Sequence, residues 1–228
     1  MSEKRAHIYV NPYLRAFFTI AVILGGVWVV RQYVIGSYRI STDSMEKAVR
    51  EGDYVLVNRL QTDDNPGRGR VVLFYSPLLK DSIHPPLLIS RCIALPGDTI
   101  EKIDSLYKIN GKPVSLPTEV STAKNYTLIV PRKDWPYRLD STALLACKEA
   151  ILREAGGKAV FRNGKLFLDG RESSFFFFKN NYYWFISDNP KESVDSRHLG
   201  FIPRNHVIGS VWFCWFSHSK EQFFKSIR

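Results

Sequence analysis

Between Ala16 and Val30 the chain runs for 15 residues without a charge (AFFTIAVILGGVWVV), and the apolar stretch continues past Arg31-Gln32 through Tyr33-Val34-Ile35-Gly36. Ala16 to Ile35 is 20 positions, and at about 1.5 Å per helical residue these span about 30 Å, the thickness of bilayer hydrocarbon. Arg31 can snorkel to the interface while Trp28 and Tyr33 sit in the aromatic belt. One transmembrane helix over residues 13–36 is the favoured reading. A cleavable signal peptide fits less well, because the run is long and Arg31-Gln32-Tyr33 stands where small cleavage-site residues belong. A buried helix of a soluble core is the third option. Lys4, Arg5 and Arg15 ahead of the span place residues 1–12 in the cytoplasm and the following domain outside it. Arg31 and Arg39 weigh against that orientation, although a long domain translocates largely regardless of its charge.

The rest of the chain can build a core: of 228 residues 45% are hydrophobic and 14% aromatic, which excludes a disordered tail. Cys92, Cys147 and Cys214 are far apart and odd in number, matching neither a disulfide framework nor a zinc pattern, and read as buried small apolar residues. No metal or cofactor is expected. The net charge of +10 suggests nucleic acid as a partner. Its basic residues are scattered, however (Arg39, Arg50, Arg59, Arg68, Arg70, Lys80), and no nucleic-acid motif accompanies them. No nucleic acid is therefore expected, and membrane lipid with anionic headgroups is the better partner.

After residue 36 the periodicity turns from helix to strand. Tyr54–Val57, Val71–Phe74, Leu87–Ile89, Phe175–Phe178, Tyr182–Ile186 and Val207–Phe213 are short β-branched or aromatic runs, punctuated by turns such as Asn65-Pro66-Gly67, Pro96-Gly97-Asp98, Asn110-Gly111 and Asn163-Gly164. Phe175–Phe178 reads as a strand buried on both faces. The one convincing soluble helix is Ser141–Ala155, opened by Asp140 or Ser141 and stopped by Gly156-Gly157. The fold class is mostly β.

Shortly after the span comes Ser41-Thr42-Asp43-Ser44-Met45-Glu46, then Gly52-Asp53-Tyr54, Arg91-Cys92-Ile93-Ala94-Leu95-Pro96-Gly97-Asp98, Ser187-Asp188-Asn189 and Ser193-Val194-Asp195-Ser196-Arg197. In this order, behind a single amino-terminal span, these resemble the boxes of the type I signal peptidases, membrane-bound serine endopeptidases that cut signal peptides from exported preproteins. Ile208-Gly209-Ser210-Val211 extends the likeness to the last core strand. The resemblance implies a signal-peptidase-like β core at residues 37–100 and 181–217, a β-rich insertion at 101–180 carrying the one helix, and a tail at 218–228. It implies Ser44 as nucleophile, Thr42 and the Ser44 N–H as oxyanion donors, Ser193 as the residue that orients the base, and small pockets for alanine-sized side chains; Ile40, Met45 and Ile89 beside them suit either the lining of such pockets or plain core packing. Gly52, Asp53, Arg91, Pro96, Gly97, Asp98, Asp188, Asn189, Asp195, Ser196 and Arg197 are its structural motif. Signal peptides of exported preproteins are its implied partners, captured by strand addition.

The departures fall on the chemistry. A serine hydroxyl needs a neighbouring base, and the family uses a lysine whose pKa desolvation lowers from about 10.4 towards about 7. That slot holds Ser90, which is no base near neutral pH, and Arg91 keeps its proton. Ser187 likewise stands for a glycine, Pro190 for an arginine, and Lys47-Ala48-Val49 for Pro-Thr-Leu. His84, His198 and Lys80 are the remaining candidate bases. The chain is then either a working signal peptidase with an unusual base, a degenerate member that binds signal peptides or an active paralogue without cutting, or an unrelated single-pass β-rich membrane protein. If the resemblance holds, Ser44 and Ser90 should lie on adjacent segments with side chains converging on one apolar cleft near the membrane face, Ser193 should close the same cluster, and the gap left by the missing lysine should be filled by water or a neighbouring side chain.

Overall fold

The computed structural model describes residues 11–60, 66–78, 85–104, 106–116, 125–189, 194–217 and 224–227. Helix α1 (Pro12–Val29) starts with Asn11 as N-cap, whose Oδ1 accepts from Tyr13 N at 3.0 Å, and with proline at the first helical position, where its missing N–H costs nothing. A π-helical turn at Val30–Val34 extends it to 23 residues with mean hydropathy 1.9, none of it buried against the protein. The buried-core-helix option therefore falls. The helix is also shorter than the 13–36 expected, because Ile35 and Gly36 already pair as a strand with Asn58 and Val57. Arg59 locks this exit: its N donates to Val34 O at 2.8 Å and its Nη1 to Gln32 O at 3.0 Å.

Strands β1 (Ile35–Arg39), β2 (Tyr54–Asn58), β3 (Val71–Tyr75) and β4 (Leu87–Ala94) open the core. The chain then builds a four-stranded sheet from β5 (Thr99–Ile103), β6 (Leu106–Ile109), β7 (Lys112–Val114) and β8 (Tyr126–Ile129), followed by β9 (Pro136–Arg138). Helix α2 (Ser141–Ala155) leads to β10 (Ala159–Arg162), β11 (Lys165–Leu168), β12 (Arg171–Ser173) and β13 (Phe175–Phe177). The core resumes with β14 (Tyr182–Ile186), short α3 (Ser196–Leu199), β15 (Ile202–Pro203), β16 (Val207–Phe216) and β17 (Lys225–Ser226). The main sheet runs β1-β2-β16-β3-β4-β14-β15, with β17 on the flank of β16. The mostly β class stands. So does α2, with Asp140 Oδ1 accepting from Ala143 N at 2.7 Å and Gly156 in the left-handed region at φ 58°. Asn110-Gly111 and Asn163-Gly164 both take positive φ, the signature of tight hairpin turns.

Phe175–Phe178 is not buried on both faces. Phe176 and Phe178 are buried, while Phe175 and Phe177 are exposed, because among the described residues β13 pairs only with β9 and this two-stranded ribbon has a single covered face. Gly209 lets β16 cross close to β2: a Cβ there would lie 1.9 Å from Asn58 O, which no side chain can occupy. One apolar cluster under the main sheet gathers Ile40, Met45, Val55, Val71 and Ile89. Another runs from Ile93 and Trp184 into Cys147 and Ile151 of α2, so the insertion shares its core with the main sheet.

Candidate active site

The segment carrying Ser44 is a turn closed at both ends. Gly52 N donates to Ile40 O and Ile40 N to Asp53 O, each at 2.8 Å, while Val49 N donates to Met45 O at 2.8 Å. Carboxylates fix the remaining backbone: Asp43 Oδ1 accepts from Glu51 N and Asp53 Oδ2 from Arg50 N, each at 2.9 Å. Met45 and Val49 anchor the turn in the apolar cluster. Held this way, Ser44 is buried and donates its one hydroxyl proton to Ile89 O at 3.0 Å. Thr42 Oγ1 lies 3.1 Å from Ser44 Oγ. Because the Ser44 proton is committed to Ile89, Thr42 is the donor in that pair. The threonine hydroxyl is thus spent on the serine and must rotate before it can serve an oxyanion.

Strand alternation separates Ile89 and Arg91 from the side chain between them. Ser90 pairs across the ladder with Val72, is fully buried, and its Oγ lies 2.9 Å from Ser187 Oγ. Among the described residues no hydrogen bond joins Ser44 to Ser90, although the carbonyl that binds Ser44 belongs to the peptide preceding Ser90. Ser187 Oγ is thus the partner of Ser90 among the described residues, and Ser193 lies outside them. The signal for Ser187 was present in the sequence, since it is itself a departure from the family's glycine.

A brace of ion pairs surrounds this pocket. Arg91 grips Asp188 bidentately, Nε to Oδ1 at 3.0 Å and Nη2 to Oδ2 at 2.6 Å, and its Nη1 donates to Gly69 O at 2.7 Å. Asp195, wholly buried, takes Ser187 N at 2.9 Å and Arg197 N at 3.0 Å and forms a fork with the Arg197 guanidinium. Burial pulls that guanidinium's pKa down, but the hydrogen bond and charge of Asp195 outweigh it and leave Arg197 raised. Ser196 Oγ accepts from Phe185 N at 2.9 Å. Asn189 completes the clamp: its N donates to Ser44 O at 2.9 Å and its Nδ2 to Asp43 O at 3.2 Å. Asp188 N also meets Met45 Sδ at 3.3 Å. Asn189 therefore holds the backbone of the Ser44 turn, a role that only the folded register reveals. Pro96-Gly97-Asp98 lies farther away, where Asp98 takes Leu95 N, Asn110 Nδ2 and Arg68 Nη2 and ties β4 to the insertion.

Ile40, Met45 and Ile89 are at most 2% exposed. They pack into the cluster beneath the turn and do not line an open pocket, because the closing bonds of the turn draw Ile40 and Met45 inward and Ile89 shares the buried face of Leu73. His198 is exposed and faces Asp195, its Nδ1 3.8 Å from Oδ1, and not Ser44. His84 and Lys80 lie outside the described residues. The thiols are no substitute nucleophiles: burial raises all three, Cys147 to about 12 and Cys214 to about 11, keeping them protonated at neutral pH.

Comparison with known proteins bears on this arrangement. The sequence model of the family described as "Signal peptidase, peptidase S26" matches residues 12–216. Signal peptidase I of Aquifex aeolicus (strain VF5) is 29% identical over 213 residues, covering 86% of this chain and 81% of its own length. Signal peptidase IB of Staphylococcus aureus (strain N315) is 28% identical over 215 residues, covering 92% and 94%. A solved signal peptidase I from Enterococcus faecalis V583 covers 65% of this chain at 20% identity with a TM-score of 0.36.

Proposed function

The chain belongs to the signal peptidase family, peptidase S26, and from that we propose that it is a membrane-anchored member that binds signal peptides of exported proteins beside Ser44 and cleaves them barely or not at all. The observation that carries this reading is the state of the two hydroxyls. Ser44 gives its proton to a backbone carbonyl, which cannot accept a proton in a reaction, and Ser90 is paired with Ser187. A hydroxyl without a base is a weak nucleophile, and losing the activating group costs several orders of magnitude in rate. The Asn189 clamp holds the Ser44 turn in place whether or not chemistry follows.

Anchoring rests on α1, long enough at about 1.5 Å per residue to cross the hydrocarbon. The surface where it delivers the chain also supports the reading. Trp215 and Phe216 pack on Tyr54 with part of each ring exposed, and Trp215 Nε1 donates to Ser37 Oγ at 3.0 Å on the strand that leaves the helix. Aromatic rings with a polar edge suit a headgroup layer. The cytoplasmic amino terminus and outward β domain follow from the basic residues before the span.

The test is cleavage of a preprotein by the purified full chain in micelles. The wild type yields little or no product, Ser90→Lys raises the rate, and adding Ser44→Ala removes what is gained. Efficient wild-type cleavage abolished by Ser44→Ala would instead establish a working enzyme with another base, for which Lys80→Ala and His84→Ala are the discriminating variants.

A further inference from the structure

The Ser44 turn has few apolar holds on the sheet. Glu46, Lys47, Arg50 and Glu51 are exposed, and Met45 and Val49, joined by the Val49 N to Met45 O bond, are its buried apolar anchors. Both enter a cluster that also takes Ile40, Ile89 and, from a segment far along the chain, Ile227. That last member arrives on a short piece of strand. β17 sets Ser226 opposite Phe213 and Lys225 opposite Cys214, and Ile227 N donates to Trp212 O at 3.0 Å.

Strand alternation sorts the side chains of this segment onto two faces. Phe224 and Ser226 share one, where the Phe224 ring meets Phe213 edge-on at 5.4 Å between centroids. Lys225 and Ile227 share the other, the face on which Cys214 enters the same buried cluster. Ile227 is 3% exposed. Lys47 and Ala48 of the turn and Lys225, Ser226 and Ile227 of the segment border one cavity of about 570 Å³. Turn and segment thus stand beside the same open space, and the apolar cluster, against which Ala48 also packs, is what joins them.

The segment is held by little. Ordering Phe224–Ile227 costs the backbone freedom of each residue, and a short ladder, one ring pair and one buried aliphatic side chain stand against that cost. Phe224 adds to it at φ 53°, a region that bulky side chains seldom adopt. A piece of structure so balanced opens locally before the domain unfolds, and Ile227 leaves the cluster when it does. We propose that Ile227 is a positioning residue: it holds the Met45 and Val49 side of the Ser44 turn against the sheet, and Phe224–Ile227 is a strap whose closure keeps that turn in the shape that captures peptide. The link to capture rests on the peptide-binding reading above, and the link to the turn does not.

Hydrogen exchange on the full chain in micelles, followed by mass spectrometry, reads the turn amides, those of Ala48, Val49 and Gly52 among them. The turn exchanges about threefold faster than wild type in Ile227→Val and at least about tenfold faster in Ile227→Ala. Ile151→Ala, which opens its void in the insertion's core, leaves both turn exchange and peptide affinity unchanged. A fluorescent peptide with alanine at the first and third positions before the bond facing Ser44 loses affinity in the same order, by about tenfold in Ile227→Ala. Turn exchange at the wild-type rate in both Ile227 variants overturns the proposal. An equal acceleration by Ile151→Ala overturns it too, because the effect is then one of general stability. Faster exchange with undiminished peptide affinity overturns the positioning role. Failure of the peptide to bind the wild type brings down the peptide-binding reading, and with it the role in capture, while the exchange rates still decide whether Ile227 holds the turn. Should Ile227→Ala fail to fold, Ile227→Val decides: a faster turn with weaker peptide binding supports the assignment, and wild-type behaviour overturns it.

Discussion

Two clusters on neighbouring strands of one sheet contrast sharply. The ionic brace of Arg91, Asp188, Asp195 and Arg197 has its charges paired bidentately and its carboxylates covered. The hydroxyl cluster of Thr42, Ser44, Ser90 and Ser187 is equally buried at its centre and well bonded, yet it holds no group that can take a proton near neutral pH. Positioning and reactivity are thus separable. The brace fixes where Ser44 stands through Asn189, and the hydroxyl cluster decides whether Ser44 can react.

The contrast breaks most visibly at the brace. Removing Asp195 takes the carboxylate fork from the buried side of Arg197 and an acceptor from Ser187 N, so Asp195→Ala should cost about 3–5 kcal/mol, seen as a large fall in melting temperature of the micellar protein. Gly209→Ala should be similarly severe, because a Cβ there meets the Asn58 carbonyl first, and that backbone cannot move aside as the end of a flexible side chain can. Neutral behaviour in either variant would mean that the core is far more compliant than its packing implies.

The hydroxyl pair should respond more gently. Ser90→Ala should destabilise by about 1–2 kcal/mol, and Ser90→Ala with Ser187→Ala by less than the two single losses added together. A double-mutant cycle in thermal unfolding would expose that coupling, and strict additivity would dissolve the pair. The smallest effect concerns pH. Burial first, and the Arg153 charge second, hold His206 below its ordinary value. The folded state therefore binds that proton less readily than the unfolded chain. The His206 contribution is complete above about pH 6.5 and is lost as pH falls below it. In His206→Gln that acid-side loss should flatten in a melting-temperature profile.

Much of this was legible in the residues. The apolar run, α2 with both caps, the strands around Tyr54, Val71, Tyr182 and Val207 and the two Asn-Gly turns are local signals, and local physics settles them. What escaped depends on pairing between distant segments. The early end of α1 comes from β1 claiming Ile35 and Gly36 for β2, and the half-exposed Phe175–Phe177 comes from a ribbon with no second cover. Ile40, Met45 and Ile89 are apolar enough for a pocket or a core, and only the closing bonds of the turn decide for the core. Ser187 was visible as a departure from the family's glycine, but its partnership with Ser90 spans 97 positions. Ile227 joins the cluster under the Ser44 turn from a segment far along the chain and carries no motif.

The central proposal is that the brace positions Ser44 while the want of a base keeps it from reacting. A lysine at residue 90 needs the space that Ser187 now fills, so Ser90→Lys combined with Ser187→Gly should gain more than Ser90→Lys alone. The decisive measurement is the single-turnover rate of preprotein cleavage for the wild type, the single and the double variant, each with and without Ser44→Ala. The account predicts negligible wild-type cleavage, a rise in the single variant, a larger rise of at least about a hundredfold over wild type in the double variant, and loss of every gain with Ser44→Ala. A wild type that already cleaves at the rate of the double variant, or a double variant that stays inert while remaining folded, would contradict it.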